Sequence, residues 1–182
     1  MSTSRDVPRE DAGRRVRYAP DRAFPSYAYL PGRDPHPTRD PRGHSHGPAH
    51  ERESARARYL DADLWRDNEE YLYGVDLYND GFLWEAHEAW ESLWHLAKQD
   101  PDQASFLQGL IQCSAASLKI PMKQPGGLAR LAAMGTGRLE EVAQRSGPRF
   151  MGLDVPAFVE AFREFATSEP ASADARPRIA LA

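Results

Sequence analysis

From about Glu51 onward, apolar residues recur along this chain at steps of three and four, the spacing of one face of a helix. Tyr59, Leu60, Leu64, Trp65, Tyr71, Leu72, Val75 and Tyr78 make the first run. Asn79-Asp80-Gly81 stops it, and Gly81 suits the left-handed residue that ends a helix. The next run, Phe82 to Lys98, sets Leu83, Ala86, Trp90, Leu93, Trp94 and Ala97 on one arc. A third, Gln103 to Ile120, is apolar or small nearly all round, as a central buried helix would be. Its Gly109, Ala115 and Ala116 admit a close neighbouring backbone. A fourth, Leu128 to Arg145, turns Leu128, Leu131, Leu139 and Val142 inward, although Gly135 and Gly137 weaken it by propensity. The fifth, residues 155–167, has Asp154 as its cap and Pro156 in its first turn. Such short breaks between long helices force neighbours to pack antiparallel. The pattern predicts an all-α fold, a single bundle of about five helices built from antiparallel hairpins.

The first fifty residues have another texture. Residues 1–20, rich in Arg and Asp, read as a disordered tail. Residues 21–50 carry six prolines, which forbid helix and favour extended segments and turns. They also hold Phe24, Tyr27, Tyr29 and Leu30, which a free linker does not need. The expectation is an ordered Pro/Gly/His-rich arm packed on a helical domain of residues 51–168, followed by a loose tail of residues 169–182.

Charge adds to this picture. Residues 1–58 hold 12 Arg against 8 acids, and the remainder holds 11 basic against 19 acidic residues, giving the net charge of −4. A basic arm therefore adjoins an acidic body. The basic part has no Lys and is interleaved with Pro and acids, which argues against a nucleic-acid partner. The single Cys113 excludes an internal disulfide and fits a reducing cytoplasm. No apolar run approaches membrane-spanning length, and the first residues lack the apolar core of a signal peptide. A cytoplasmic protein with no membrane partner is expected.

Candidate chemistry is concentrated in Gly81–His95. On the second helix His87 sits just off the edge of the apolar arc, with Glu91, Trp84, His95 and Glu88 further round. Glu85 points furthest from the arc. His87 and Glu91 are four apart and can touch across one turn. Imidazole and carboxylates on the shoulder of a buried face are partly desolvated, a setting for proton transfer or metal binding. No complete metal signature is present: the His-Glu-x-x-His motif would need His where Glu91 stands. On the third helix Gln108, Gln112 and Lys119 form a narrow stripe that either meets the shoulder groups or faces water. The arm supplies His36, His44, His46 and His50, either as metal ligands or as turn residues. There is no Gly-rich phosphate loop, Cys cluster or nucleophile elbow.

The runs Glu85-Ala-His87-Glu88-x-x-Glu91-x-x-Trp94 and Phe106-Leu-Gln108-Gly-Leu-Ile-Gln112, with Gly127-Leu-Ala-Arg130 and Met151-Gly-Leu-Asp-Val155, resemble the bacterial and archaeal domain-of-unknown-function family numbered 309. The likeness spans about Leu72 to Val155. The arm segments around Tyr29–Pro37 and Asp40–Ser45 look like an extension seen in one branch of that family. The resemblance implies an all-α fold of antiparallel hairpins and marks Glu85, His87, Glu88, Glu91, Gln108 and Gln112. It implies no activity, because none is established for the family.

Two functions of different kinds follow. In the first, favoured on sequence, the His/Glu/Gln set is a structural network between the second and third helices of a scaffold that binds a protein partner or itself. In the alternative, it is a small-ligand or metal-dependent hydrolytic site. His87, Glu91 and Glu88 are then the catalytic candidates, and Trp84, Glu85, Gln108 and Gln112 contact the ligand. A divalent metal would have His87, Glu91, His36 and His44 as candidate ligands.

Overall fold

The computed structural model of the chain describes residues 17–47 and 56–182. Residues 1–16 of the expected disordered stretch fall outside the described residues, as do His50 and the first residues of the expected first helix; residues 17–20, expected in that stretch, are instead bound to Asp76 and continue into the arm. Among the described residues the fold is all-α. Five α-helices, α1 (Glu69–Asn79), α2 (Leu83–Leu96), α3 (Pro101–Leu118), α4 (Pro125–Ser146) and α5 (Val155–Thr167), pack each against the next in chain order. No helix among the described residues is long and apolar enough to cross a membrane.

The helix ends have local causes. Asp100 and Asp154 accept the backbone N–H three residues on, at 3.0 and 3.2 Å, and so cap α3 and α5. Gly81, at φ +90°, makes the turn between α1 and α2. The first helix begins later than its apolar spacing suggests. Ala62–Asp67 form a 3-10 segment instead, and Asn68 accepts the Tyr71 N–H to start α1. A side-chain cap inside a periodic run ends the continuity that periodicity alone predicts.

One core runs through the bundle, with Tyr71, Tyr78, Trp90, Phe106, Leu107, Leu139 and Phe162 essentially without solvent contact. Each such side chain contributes about 1.5–3 kcal/mol relative to exposure. Two helices approach closely because glycine faces glycine. A Cβ at Gly135 would sit 2.9 Å from both the Gly109 carbonyl and Cys113 Sγ. The glycines that weaken α4 by propensity thus include one that seats it on α3.

After α4, β1 (Arg149–Phe150) and β2 (Leu153–Asp154) form a two-residue antiparallel hairpin. The C-terminal segment, expected to be loose, is docked there and on the end of α1. Leu181 bridges Leu153, and Asn79 pairs with Ile179 through both side-chain amide atoms, at 2.9 and 2.8 Å. Arg176 is buried and donates to the Tyr78 carbonyl. Composition pointed to a free tail. The exposed C-terminal carbonyls of α1 and the polar Asn79 provide partners that composition does not reveal.

Gly74, inside α1, is also explained by packing. The Nε1 edge of the Trp90 indole meets its backbone, and a Cβ there would be 2.3 Å from Nε1. Nε1 donates to the Tyr71 carbonyl at 3.3 Å. Helix propensity alone predicts that Gly74→Ala gains about 1 kcal/mol. The packing predicts the opposite sign, a loss of about 1–3 kcal/mol, because rigid indole and backbone must move apart. Chemical denaturation of the two proteins decides between them.

Candidate functional site

Three carboxylates on α1 and α2 are buried, and each accepts hydrogen bonds from the arm or from residues 17–19 that lead into it. Asp76, 1% exposed, accepts the Tyr18 and Ala19 N–H groups at 2.9 Å and Arg17 Nε at 3.3 Å. Glu70 pairs with Arg22 at 2.5 Å, and the Arg22 guanidinium lies 3.6 Å over the Tyr73 ring. Glu85 Oε1 accepts the Tyr29 N–H at 2.9 Å and meets His44 Nε2 at 3.0 Å. Nε2 donates there. His44 Nδ1, 2.8 Å from Ser45 Oγ, then takes the hydroxyl proton in the neutral ring. Aromatic contacts complete the seat: Phe24 stacks on Phe82, while Tyr29 and His36 set their edges against Trp84 at 5.2 and 5.6 Å.

Between arm and helices lies a cavity of about 350 Å³. Glu85, Glu88 and Glu91, spaced three apart on α2, line it together with His44, His95 and the Arg22–Glu70 pair. Trp84, Leu77, Pro25 and Ala89 supply apolar wall. Beside it, His87, Glu88 and Glu91 bring one ligand atom each to within 4.8 Å of one another, and His87 Nε2 is 3.7 Å from Glu91 Oε2.

Their surroundings set their protonation. Burial, then the carboxylates of Glu91 and Glu85, push the Glu88 carboxyl up to about 7. Burial lowers the His87 pKa, against the pull of Glu91, and so keeps the imidazole neutral with a lone pair to offer. A neutral imidazole, a carboxylate and a carboxyl poised near neutrality can hold a divalent ion or move a proton.

The other residues marked from sequence, Gln108, Gln112 and His36, make no described hydrogen bond to His87, Glu88 or Glu91. Among the described residues no hydrogen bond joins Gln108 or Gln112 to His87 or Glu91, and the buried Gln112 Oε1 has no partner. The polar bond seen from α3 to α2 runs from Ser114 Oγ to the Leu83 carbonyl, at 2.6 Å. His36 accepts the Thr38 and Arg39 N–H groups at 3.3 and 3.4 Å through Nδ1, as a turn residue does. Sequence reasoning missed Arg22, Glu70 and Asp76. Their signal was a carboxylate at two positions inside the apolar run of the first helix, where a charge needs a partner from outside.

The raised pKa of Glu88 gives a signed pH dependence. The unfolded chain loses this proton near the ordinary value of 4.5, the folded chain near 7. Between those values the folded state binds more protons, so stability falls as pH rises through the window. Glu88→Gln removes the titration. Its melting temperature relative to wild type is expected to rise from about pH 5 to about pH 8. A difference that stays flat across that range contradicts a desolvated Glu88.

No curated protein and no solved structure matches the chain. The sequence model of one family, described as "Domain of unknown function (DUF309)", matches residues 71–131. That stretch holds nearly all of α1, all of α2 and α3, and the start of α4, with Asp76, Glu85, His87, Glu88 and Glu91 inside it. The arm lies outside it. Over residues 71–131 this chain is therefore similar to the DUF309 family, a domain of unknown function.

Proposed function

We propose that the protein binds a small ligand in the cavity beneath the arm, with a divalent metal held beside it by His87, Glu88 and Glu91. The observation that supports this best is the convergence of the three side chains, two of which also line the cavity. A structural network between α2 and α3 would need hydrogen bonds from this set to Gln108 or Gln112, and none forms among the described residues. One imidazole and two carboxylates suit zinc, manganese or iron rather than calcium. Three protein ligands leave coordination positions open, the pattern of reactive rather than structural metal sites. Such a centre lowers the pKa of bound water, so hydrolysis of a small substrate is the reaction class it would serve. Glu88 must give up its proton to ligate, so metal uptake would release protons and strengthen as pH rises through 7. The single thiol, Cys113, is buried and pushed up by that burial, in keeping with a protein of the reducing cytoplasm.

The test is a thermal melt of wild type and His87→Gln, each with and without zinc, manganese or ferrous iron, beside elemental analysis of untagged protein. A ligand present at a hundredfold its dissociation constant adds about 2.7 kcal/mol. That should raise the wild-type melting temperature by roughly 5 °C or more. The shift should vanish in His87→Gln. If neither protein responds to metal and His87→Gln is clearly the less stable, His87 is a structural hydrogen-bonding residue and the proposal fails.

A further inference from the structure

His44 and Ser45, neighbours in the arm, meet Glu85 of α2 at the wall of the cavity, and all three are among the residues that line it. Ser45 Oγ lies 2.8 Å from His44 Nδ1, and His44 Nε2 lies 3.0 Å from Glu85 Oε1. Hydroxyl, imidazole and carboxylate thus stand in one hydrogen-bonded line, the arrangement that makes a serine a nucleophile. We infer that Ser45, His44 and Glu85 form a nucleophilic relay, and that its substrate is a small neutral carboxylic ester whose acyl group passes to Ser45. This rests on the cavity being a ligand site but not on a metal being bound beside it.

Each group has the setting its role needs. Glu85 Oε1 also accepts the Tyr29 N–H at 2.9 Å, so backbone as well as imidazole holds the carboxylate in place. Glu85 is 6% exposed, and its Oε2 has no hydrogen-bond partner among the described residues. The acid of such a relay works from inside the protein and never touches substrate. Buried and incompletely compensated, its charge is poised to stabilise the imidazolium that forms beside it. The carboxylate fixes Nε2 as the donor and leaves the Nδ1 lone pair of the neutral ring for the Ser45 hydroxyl. In the serine proteases the two ring nitrogens are exchanged, with Nδ1 toward the acid, but either nitrogen can take the proton. Ser45 is 5% exposed, which restricts it to compounds small enough to enter the cavity.

The reaction balances with water as the only co-reactant. As Ser45 Oγ bonds to the ester carbonyl carbon, its proton passes to His44 Nδ1 and the carbonyl π pair moves onto oxygen. Return of that pair breaks the bond to the alkoxy group, which takes the proton from Nδ1 and leaves as an alcohol. Water then attacks the acyl-serine by the same sequence and releases the carboxylic acid and free Ser45. Trp84, Leu77, Pro25 and Ala89 offer an apolar wall to the acyl chain. A volume of about 350 Å³ is near the lower end for ligand cavities and keeps that chain short. Glu88 and Glu91 in the same lining disfavour an acyl chain that carries negative charge.

The experiment treats the full-length protein, in EDTA, with p-nitrophenyl acetate and separately with diisopropyl fluorophosphate, and locates the modified residue by peptide mass spectrometry. Ser45 is expected to carry the acetyl or phosphoryl group, and nitrophenol to appear in an initial burst. Ser45→Ala should lose both. His44→Gln should slow acetylation by roughly a hundredfold or more. Glu85→Gln still offers an acceptor to Tyr29 and His44 but removes the charge. It should lower kcat by roughly tenfold or more and leave KM nearly unchanged, whereas a residue that only holds the arm would move KM. Because Glu85 and His44 also fasten the arm, the comparison of wild type with Ser45→Ala stands as a test that leaves the fastening intact. Absence of modification at Ser45, acetyl groups on lysines or His44 alone, or wild-type rates in folded His44→Gln or Glu85→Gln would each overturn the assignment. Acetylation of Ser45 in EDTA with no metal response in the melts would sink the metal centre and leave this relay standing. A metal response without modification of Ser45 would do the reverse.

Discussion

Burying a carboxylate in a protein costs several kcal/mol unless donors compensate it. This chain buries three, Glu70, Asp76 and Glu85, on one side of its first helical hairpin. The bundle's own helices supply none of the hydrogen bonds described for Asp76 and Glu85; residues 17–44 of the arm supply them. Arg22 does the same for Glu70. A segment with no regular secondary structure is thereby fixed at three points. The Tyr18, Ala19 and Tyr29 N–H groups are spent on these carboxylates, while others close turns within the segment. The cavity is a by-product of that tethering. Arg22, Pro25, Thr38, His44 and Ser45 line it from the arm, and Glu70, Glu85, Glu88 and Glu91 from α1 and α2.

Much of the helical fold was legible in the chain. Period, caps and breakers located α2, α3, α4 and α5 to within a few residues, and residues 155–167 coincide with α5. The apolar arc of α2 is buried as its spacing requires, apart from a half-exposed Trp94. What failed has a common physical source, the partner that comes from far along the chain. Glu85 lies furthest from that arc on a helical wheel, yet it is buried, because a wheel knows only the face that meets the bundle. The C-terminal segment, Ala- and Pro-rich with few large apolar side chains, docks through Asn79 and the end of α1. Gly74 and Gly135 read as weak points by propensity, and both are positions where another side chain or backbone comes too near for a Cβ.

The candidate site was only half legible for the same reason. His87 and Glu91 at i and i+4 announced themselves, and the helix does bring Nε2 and Oε2 to 3.7 Å. Glu88 stood next to them, but its raised pKa depends on burial that spacing cannot show. The glutamines of α3 were grouped with these residues because they carry similar chemistry, but no hydrogen bond joins the two sets among the described residues. The candidate site that results is composite. Its carboxylates and imidazole belong to the DUF309 segment, apart from Glu70, while its roof and His44 belong to the arm. Loss of the arm would therefore alter the protonation of Glu88 and the shape of the cavity together.

The tethering itself is open to a direct measurement: amide hydrogen exchange of residues 24–46 in wild type and in Glu85→Ala, with α3 as internal reference. If the buried carboxylate fastens the arm, the Tyr29 amide and its neighbours should lose protection by roughly tenfold or more in the variant, while α3 exchanges as before. Arm amides that keep their wild-type protection without the Glu85 carboxylate would contradict the account.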